Sequence, residues 1–464
     1  MNLTIADILE ATKGFLIQGN EDVPVSGIST DTRQLKPGSL FVALEGENFD
    51  GHSFISDAEQ KGAIAVLGVT SKLQNFKGNV SAALVGVQDS LRALGDIARY
   101  WRLKHDVRVI ALTGSNGKTS TKEMIAALVN RKYRTLKNVL NLNNLVGVPL
   151  TLFNLKSEHE VAVIEMGMNS PGEIARLAEI AVPDYGLITN IQPAHLEGLG
   201  SLEGIQKAKG ELFEGVKDSG VLFVNVDDSL VAELAKKSDK RKMTFGTSSD
   251  ADVRLVEIIS QSVEGSRFKV SFAGREEELF LPVLGRHQIS NALAAAAVAW
   301  GLEVPIDEIV EGLSAHKPVK QRMEVKRVKD DIFLLDDSYN ANPSSVTAAL
   351  ETVAEIGKEG RFFAALGAML ELGPESARYH RLIGEKVAQL GYRGLLSLGD
   401  LGKEIIEGAR GAGMPAEYLF LGRDHAVVAE KLSQWLQPGD WVLVKGSRGS
   451  RMELVIENLI ENER

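Results

Sequence analysis

The sequence contains no cysteine. This absence excludes disulfide bridges, zinc sites with thiolate ligands and cysteine nucleophiles together. Long apolar runs are missing as well: the longest runs from Ala292 to Leu302, whereas a membrane-spanning helix needs about 20 residues. The first ten residues lack the basic start and the uninterrupted apolar core of a signal peptide. We therefore expect a soluble, cytoplasmic protein without membrane insertion.

An excess of positive charge is also absent. Lysine and arginine total 52 against 62 aspartate and glutamate residues, which gives a net charge of −10. Broad binding of nucleic acid needs clustered positive charge, so we expect no nucleic-acid partner. Hydrophobic residues make up 44% and charged residues 25%, as in ordinary globular proteins, and this excludes extended disorder. The length of 464 residues suits about three domains.

Short β-branched runs that end in glycine-containing turns predict buried strands. The central candidates, with the helical stretches between them, are Val107–Leu112, Thr121–Asn130, Val161–Ile164, Gly172–Ile180, Tyr185–Thr189 and Gly220–Val224. A second set of candidate strands comprises Phe362–Leu366, Gly394–Leu398, Tyr418–Leu421 and Trp441–Val444. Apolar strands that alternate with helices predict parallel sheets covered on both faces.

The first hundred residues differ, with short strands, frequent turns and few long helices. There, Leu3, Ile5, Ile8 and Leu9 predict one face of a short helix. We therefore predict an α/β protein of three domains. A smaller mixed α/β domain covers residues 1–105, a central domain with a parallel sheet covers 106–313, and a Rossmann-like α/β domain covers 314–464, with a linker near 312–318.

The segment from Thr113 to Ser120 follows a predicted strand and opens a predicted helix. Its glycines let backbone N–H groups surround a phosphate, and the helix start adds positive potential. Lys118 would reach the β- and γ-phosphates, and Thr119 would hold Mg²⁺. Only two residues separate the glycines, where the usual pattern has four, and a plain glycine turn is the alternative. The predicted nucleotide site comprises Gly114, Ser115, Asn116, Gly117, Lys118, Thr119 and Ser120.

Such a P-loop serves kinases and ligases, switch GTPases and mechanical ATPases alike. The sequence has no Asn-Lys-x-Asp guanine signature, which weakens the switch interpretation. Glu165 ends a predicted strand, and a carboxylate at the carboxyl end of a neighbouring parallel strand would face the phosphates. Because Mg²⁺ prefers oxygen ligands, Glu165 is a candidate ligand.

Three further residues each keep two interpretations, and a fourth, Lys209, keeps one. His195 could bind metal, or be an ordinary packed or surface histidine. The composition of the surrounding segment predicts that Lys209 is a lysine on the surface of a helix. Asp337 follows a predicted strand and could bind a ribose or orient an amine, or belong to a polar loop. Arg322 could bind phosphate or pair with a surface acid.

A series of short strings in a fixed order then resembles one family, the Mur ligases of peptidoglycan synthesis. These strings are Ile28–Arg33, Pro37–Leu44, Asn48–His52, Thr113–Ser120, Asn141–Asn144, Glu165–Asn169, Ala194–Gly198, Ala208–Glu211, Leu284–Ala292, Asp336–Pro343 and Lys445–Arg448. The resemblance covers all three domains. It implies an ATP- and Mg²⁺-dependent amide ligase that activates a carboxylate as an acyl phosphate.

The Asp336–Pro343 string favours the family member that joins D-alanyl-D-alanine to a UDP-N-acetylmuramoyl-tripeptide. The resemblance thus implies those two substrates and a monomeric enzyme. The residues do not distinguish lysine from diaminopimelate as the third residue of the tripeptide. Alternatives are a folylpolyglutamate synthase-like enzyme, the ligase that adds the third residue, and a P-loop regulator without ligase chemistry. The second of these lacks support because no Asp-Asn-Pro-Arg string is found.

The resemblance also implies a role for each candidate residue. Lys118 and Thr119 would serve ATP and magnesium, while Glu165 and His195 would help to hold magnesium. Lys209 would be carbamylated and would bind a second Mg²⁺, although Lys207 lies two residues away. The remaining implied contacts are Asn291 with adenine, Arg322 with phosphates, Asp337 with ribose, Ser29, Thr30, Asp31 and Arg33 with the uridine diphosphate, and Asn143, Asn144, Asn340 and Asn342 with substrate.

Two positions depart from the family pattern. Ala368 stands where the family often has an aspartate, and Leu145 stands where an acid often follows the paired asparagines. Neither position belongs to the predicted ATP site. Both departures concern recognition of the amine substrate.

Overall fold

The computed structural model of the chain describes residues 1–46, 49–328, 331–357 and 360–461. It contains three successive α/β units, each built on its own main sheet of five, nine or six strands. The predicted fold class is thereby confirmed.

The N-terminal unit carries a five-stranded sheet in the order β2-β9-β8-β5-β4. Four of its strands are parallel, and β2 runs antiparallel to β9. Two short pairs, β1-β3 and β6-β7, lie outside this sheet. The elements are β1 (Leu3–Thr4), α1 (Ile5–Thr12), β2 (Phe15–Gln18), β3 (Pro24–Val25), β4 (Gly27–Ser29), β5 (Ser39–Val42), β6 (Glu45–Gly46), β7 (Phe49–Asp50), α2 (Ile55–Gln60), β8 (Ala65–Val69), α3 (Thr70–Leu73), β9 (Ala83–Val87) and α4 (Ser90–Leu103).

The first helix differs from its prediction at one residue. Thr4 caps α1, because its hydroxyl accepts from the Asp7 N–H at 3.3 Å and its own N–H donates to the Asp7 carboxylate at 2.8 Å. This capping box begins the helix at Ile5, so that Leu3 lies in β1 instead. Ile5 and Ile8 form the buried face.

The central unit has nine strands in the order β11-β12-β10-β13-β14-β15-β16-β17-β18. Its strands are β10 (Arg108–Thr113), β11 (Thr135–Lys137), β12 (Val161–Glu165), β13 (Tyr185–Ile188), β14 (Val221–Asn225), β15 (Arg241–Gly246), β16 (Val253–Ser262), β17 (Gly265–Phe272) and β18 (Arg275–Leu281). Its helices are α5 (Lys118–Val129), α6 (Gly147–Leu152), α7 (Glu173–Ala181), α8 (Leu196–Leu199), α9 (Leu202–Gly215), α10 (Ser229–Lys236), α11 (Arg286–Gly301) and α12 (Ile306–Ser314).

This sheet is parallel from β11 to β16, as predicted, but β16, β17 and β18 run antiparallel. The cause is the length of the connections. Only two residues separate β16 from β17 and β17 from β18, and parallel neighbours need a crossover of a dozen residues or more. Positive φ angles at Gly265, Ala273 and Gly274 turn the chain at these points.

The C-terminal unit has six strands in the order β19-β20-β24-β21-β22-β23, and only β19 runs antiparallel to its neighbour. Its strands are β19 (Glu324–Arg327), β20 (Phe333–Asp337), β21 (Phe362–Leu366), β22 (Gly394–Leu398), β23 (Leu419–Gly422) and β24 (Trp441–Lys445). Its helices are α13 (Pro343–Ile356), α14 (Ser376–Gln389), α15 (Gly399–Gly411), α16 (His425–Trp435) and α17 (Glu453–Glu461).

The domain boundaries near residues 105 and 314 stay predictions. The first falls between α4 and β10, and the second falls at the end of α12. Gly312 and Leu313 of the predicted linker lie within α12. Among the described helices, none has both the length and the apolar character needed to cross a membrane.

A buried arginine joins the N-terminal unit to the central one. Arg102 on α4 donates to the carbonyls of Ala181 at 2.8 Å and Val107 at 2.9 Å. Its guanidinium also lies 3.6 Å from the Asp184 carboxylate. Because these carbonyls lie at the end of α7 and just before β10, one side chain ties three segments together.

We expect Arg102→Met to lower the free energy of unfolding by about 3 kcal/mol, because it leaves buried carbonyls without donors. Urea unfolding followed by circular dichroism measures the change. Arg99→Met on the same helix is the control, since exposed Arg99 makes a single carbonyl contact at 3.1 Å. Equal losses for the two variants would contradict the assignment.

Candidate functional site

A cleft of about 720 Å³ lies between the central and C-terminal units. The carboxyl ends of β10 and β12 meet it from one side, and those of β20 and β24 meet it from the other. The predicted site residues that line it are Ser115, Asn116, Gly117, Lys118, Thr119, Ser120, Asn143, Asn144, Glu165, His195, Asn291, Arg322, Asp337, Asn340 and Asn342.

The P-loop, residues 113–120, connects β10 to α5 and has no space for side chains at its glycines. A Cβ at Gly114 would lie 1.9 Å from the Thr189 hydroxyl, and one at Gly117 would lie 2.2 Å from the Asn291 amide oxygen. Both glycines also have positive φ. The loop therefore brings bare backbone to the cleft at the start of α5, as phosphate binding requires.

Two carbonyls of the P-loop hold the Lys118 ammonium in place. Its ammonium donates to the carbonyls of Gly114 at 2.8 Å and Ser115 at 3.3 Å, so the side chain folds back over the loop. Desolvation lowers the pKa of Lys118, and the nearby Glu165 carboxylate opposes that shift. The cation is thus available at the position where the phosphates would lie.

Glu165 is buried at the end of β12, and the two sides of the cleft meet around it. Its Oε1 accepts from the Asn143 amide at 2.8 Å and from the Thr119 hydroxyl at 3.3 Å. The Arg322 guanidinium, which stacks on Tyr339 at 4.1 Å, donates to the same hydroxyl at 3.2 Å. Thr119 therefore connects a carboxylate of the central unit to a cation of the C-terminal unit.

The other carboxylate oxygen of Glu165 fits a bound cation. It is buried and has no hydrogen-bond partner within the part of the chain that the structure describes. A buried carboxylate oxygen without a partner is costly, and a hydroxyl beside it completes a hard oxygen donor set. Glu165 and Thr119 thus have the chemistry that Mg²⁺ prefers.

Two buried side chains that the sequence did not single out hold Glu165. Asn138 accepts from the backbone N–H of Glu165 at 2.7 Å and donates to its carbonyl at 3.0 Å. The Lys122 ammonium lies 3.7 Å from Glu165 Oε2 and donates to the Asn138 carbonyl at 3.0 Å. Neither residue has a motif of its own, although Lys122 lies one helical turn after Lys118.

His195 contacts the opposite side of the cleft. Its Nδ1 lies 2.5 Å from a carboxylate oxygen of Glu371, in the loop after β21. This hydrogen bond lowers the pKa of the Glu371 carboxyl group. Both residues have positive φ, at 54° and 64°, a strained conformation that is common at functional sites. Glu371 belongs to the Leu366–Gly373 stretch that contains Ala368.

Asp337 at the end of β20 forms a buried ion pair with Lys445 at the end of β24. Lys445 also donates to the Asn340 carbonyl at 2.9 Å, which leaves the Asn340 side chain available to the cleft. Burial lowers the pKa of the nearby His287 to about 4, so this cleft histidine is neutral at pH 7. The sequence analysis named both Asp337 and Lys445 but did not predict that they form a pair.

The candidate asparagines differ in how their side chains are used. Asn342 donates to the Asn116 amide oxygen at 2.7 Å across the cleft. Asn144 accepts from the N–H of Gly147, the first residue of α6, at 2.8 Å. Asn291 is buried and donates to Gln288 at 3.1 Å.

Lys209 is buried on α9, contrary to its interpretation as a surface lysine, whereas Lys207 is exposed. Over the described ranges its ammonium has neither a hydrogen bond nor an ion pair. Desolvation, reinforced by the charge of Lys118, sets the pKa of Lys209 well below its ordinary value. The structure thus separates the two lysines that the sequence left as alternatives.

The structure leaves Ser29, Thr30, Asp31 and Arg33 outside the cleft, at the end of β4 and after it. Arg33 is largely exposed and pairs with Asp31 at 2.7 Å, and its hydrogen bonds lower the pKa of that carboxyl group. Gly114 and Lys209 do not line the cleft either. Asn48 of the Asn48–His52 string lies outside the described residues.

Three family models match successive parts of the chain. The Mur ligase family catalytic domain matches residues 24–102, the Mur ligase middle domain matches 112–299, and the Mur ligase, glutamate ligase domain matches 321–448. The UDP-N-acetylmuramoyl-tripeptide–D-alanyl-D-alanine ligase of Escherichia coli (strain K12) is 38% identical over 466 residues, which cover 100% of this chain and 99% of that protein.

Two solved structures are similar over nearly the whole chain. Crystal structure I of MurF from Acinetobacter baumannii has a TM-score of 0.90 and 31% identity, and 99% of each chain is covered. MurF ligase from Thermotoga maritima in complex with ADP has a TM-score of 0.83 and 27% identity, with 94% of this chain and 98% of that chain covered. Together with the P-loop and the cleft, this full-length similarity shows that the chain belongs to the Mur ligase family.

Proposed function

We propose that this protein joins D-alanyl-D-alanine to UDP-N-acetylmuramoyl-tripeptide with ATP, and so makes the UDP-linked pentapeptide for peptidoglycan synthesis. The observation that carries the proposal is the cleft in which the P-loop faces Arg322 and Asp337 of the C-terminal unit. The full-length relative named for this activity supports the choice of substrates, and the ADP complex of the Thermotoga maritima structure supports the nucleotide. The monomeric state and the cytoplasmic location stay predictions.

The reaction has two steps. The terminal carboxylate of the tripeptide attacks the γ-phosphorus of ATP, the bond to the β-phosphate oxygen breaks, and ADP leaves. The dipeptide amine then attacks the carbonyl carbon of the acyl phosphate, loses a proton, and phosphate leaves as the amide forms. Neither step needs a covalent bond to the protein, so positioning and charge stabilisation suffice.

The residues of the cleft supply that stabilisation. Lys118 and the N–H groups at the start of α5 would bind the transferred phosphoryl group, and Arg322 would reach it from the C-terminal unit. Both cations lower the repulsion between the substrate carboxylate and ATP. Because the two units enclose the cleft, they would also shield the acyl phosphate from water.

Thr119, Glu165 and His195 would hold Mg²⁺, which when bound supplies positive charge to the phosphate oxygens. Asn138 and Lys122 would keep the Glu165 carboxylate at its place. Asn291 would contact adenine, and Asp337 would contact ribose. Asn143, Asn144, Asn340 and Asn342 would contact substrate, and Ser29, Thr30, Asp31 and Arg33 would bind the uridine diphosphate.

Lys209 would be carbamylated. Its burial favours the neutral amine, which is the form that reacts with carbon dioxide. The resulting carbamate is an anion with two oxygens and could bind a second Mg²⁺, whereas an ammonium group would repel one. The positive charge of Lys118 repels the ammonium form of Lys209, and the same charge would attract the carbamate anion.

Phosphate release tests the proposed function directly. With ATP and Mg²⁺ present, we expect release only when UDP-N-acetylmuramoyl-tripeptide and D-alanyl-D-alanine are both added, with the UDP-pentapeptide found by mass spectrometry. Release that does not depend on either substrate would favour a P-loop regulator. Release that needs a folate and glutamate would favour the folylpolyglutamate synthase alternative.

We expect Lys118→Ala to reduce ligation by about 10³-fold or more, because it removes the cation closest to the P-loop. Steady-state phosphate release measures the loss. Lys156→Ala, a change at an exposed lysine of the same unit, should stay within about twofold of wild type. Near-normal turnover of Lys118→Ala with unchanged circular dichroism would contradict the P-loop assignment.

We expect Lys209→Ala to be almost inactive and to regain part of its activity when a small carboxylic acid such as acetate is added. The added carboxylate would fill the space of the carbamate and supply its oxygens. The matched control, Lys207→Ala, changes the exposed neighbour and should be active without rescue. Full activity of Lys209→Ala, or rescue of Lys207→Ala instead, would contradict the assignment.

A further inference from the structure

The C-terminal sheet has a crevice at the point where the order of its strands reverses. The chain moves along this sheet from β20 through β21 and β22 to β23, and then returns to place β24 between β20 and β21. Ligands of open α/β sheets bind outside the carboxyl ends of the strands at such a reversal. Here that position belongs to two loops, the β21 loop (residues 367–373) and the β24 loop (residues 446–450).

These two loops form one unit at the rim of the cleft. The Ser447 N–H donates to the Ala368 carbonyl at 2.9 Å, and the buried Ser447 hydroxyl accepts from the Leu370 N–H at 2.9 Å. Leu370 packs against Gly449, where a Cβ would lie 2.8 Å from its side chain. Because the loops are tied together, their side chains face the cleft in a fixed relation to each other.

The charged residues of these two loops and of their neighbours in the cleft differ in how far other residues occupy or bury them. Arg322 donates to Thr119, and Asp337 and Lys445 neutralise each other in the interior. Glu371 and Arg448 differ, since their side chains are 52% and 60% exposed. Each of the two tied loops thus brings one accessible charge, and the two charges have opposite sign.

Glu371 faces the reacting end of the cleft. One carboxylate oxygen contacts His195, and the other has no hydrogen bond to any residue that the structure describes. Glu371 and His195 line the same cleft as Lys118 of the P-loop. An ammonium group bound here would lie next to the site of phosphoryl transfer.

Arg448 lies on the other loop. Its guanidinium donates to Glu453 at 2.8 Å, which holds the planar group while its remaining N–H donors stay available. Arginine binds carboxylates through two parallel hydrogen bonds. Leu370 comes directly before Glu371 and packs against Gly449, the residue after Arg448, and its exposed apolar side chain lines the same cleft and suits small aliphatic groups.

We propose that Glu371 and Arg448 bind the two charged ends of the dipeptide, the ammonium at Glu371 and the carboxylate at Arg448. This inference rests on the function proposed above. A free dipeptide carries both charges at neutral pH, so a carboxylate and a guanidinium on two tied loops offer each end of the dipeptide a group of opposite charge. The orientation also directs the amine toward the acyl phosphate and leaves the carboxylate at the rim.

The decisive test combines a variant with a substrate analogue. For wild type, the C-terminal amide of D-alanyl-D-alanine should have a KM about 10- to 100-fold above that of the dipeptide, because it lacks the carboxylate. Arg448→Ala should raise the KM of the dipeptide by the same factor and make the two KM values equal. Arg423→Ala, an exposed arginine of the same unit outside the cleft, should keep the wild-type discrimination.

The outcomes separate this inference from the function on which it rests. Discrimination that persists in Arg448→Ala, while wild type still ligates the dipeptide, overturns the assignment of Arg448 alone. Wild type without dipeptide-dependent turnover overturns the proposed function and this inference together. Because both side chains are exposed, we expect their substitution to leave the fold intact, and thermal unfolding of each variant checks this.

The test of Glu371 has to distinguish binding of the dipeptide ammonium from positioning of His195. Glu371→Gln keeps the shape and removes the charge, so the KM of the dipeptide should rise about tenfold or more while the KM of ATP stays within about twofold. Glu371→Asp should recover part of the loss. A parallel rise in the KM of ATP and in the Mg²⁺ requirement would mean that Glu371 only positions His195, and would overturn its assignment.

Discussion

The site depends on one buried carboxylate. Glu165 lies at the end of β12 in an interior position, where an unpaired charge is costly unless neighbours compensate for it. Asn138 holds its backbone, Asn143 and Thr119 bind one oxygen, and Lys122 lies near the other. These contacts join β12 to α5 and to the segment after β11, so the carboxylate and the P-loop keep a fixed relation. Among the described residues that second oxygen has no hydrogen-bond partner, which is why we propose that Glu165 helps to hold a cation.

The contacts across the cleft are polar, in contrast to the apolar core around them. Among the described residues, side-chain pairs that cross it include Asn116 with Asn342, Thr119 with Arg322, and His195 with Glu371. Each pair includes a residue that we assign to nucleotide, metal or substrate. Because polar groups at an exposed cleft exchange their partners for ligand or water at small net cost, the same side chains can contact each other and also bind ligands.

The three units of the protein contribute different residues to the proposed binding of ATP and the substrates. The P-loop and Glu165 belong to the central sheet, whereas Arg322, Asp337 and Lys445 come from the C-terminal sheet. Ser29 to Arg33 lie apart in the N-terminal unit, as suits a substrate with a nucleotide at one end and a peptide at the other. The dipeptide assignment to Glu371 and Arg448 places the third ligand on loops that the ATP site does not use.

Local patterns determined much of this protein from the sequence alone. Continuous apolar strands alternating with helices predicted the α/β units, and glycines around Lys118 predicted a phosphate loop, because both signals act over a few residues. Glu165 was also predictable, since its place at a strand end follows from the same pattern. The strands predicted for the central domain ended with Gly220–Val224, so the antiparallel strands β16, β17 and β18 were not predicted.

Only the tertiary structure decided the surroundings of these residues. Lys209 and Lys207 have the same chemistry and lie two positions apart, yet packing buries one and leaves the other exposed. Asp337 meets Lys445 although more than a hundred residues separate them. Burial, pKa and ion pairing depend on what the fold brings next to a side chain, and a single sequence records residue types and spacing but not those neighbours.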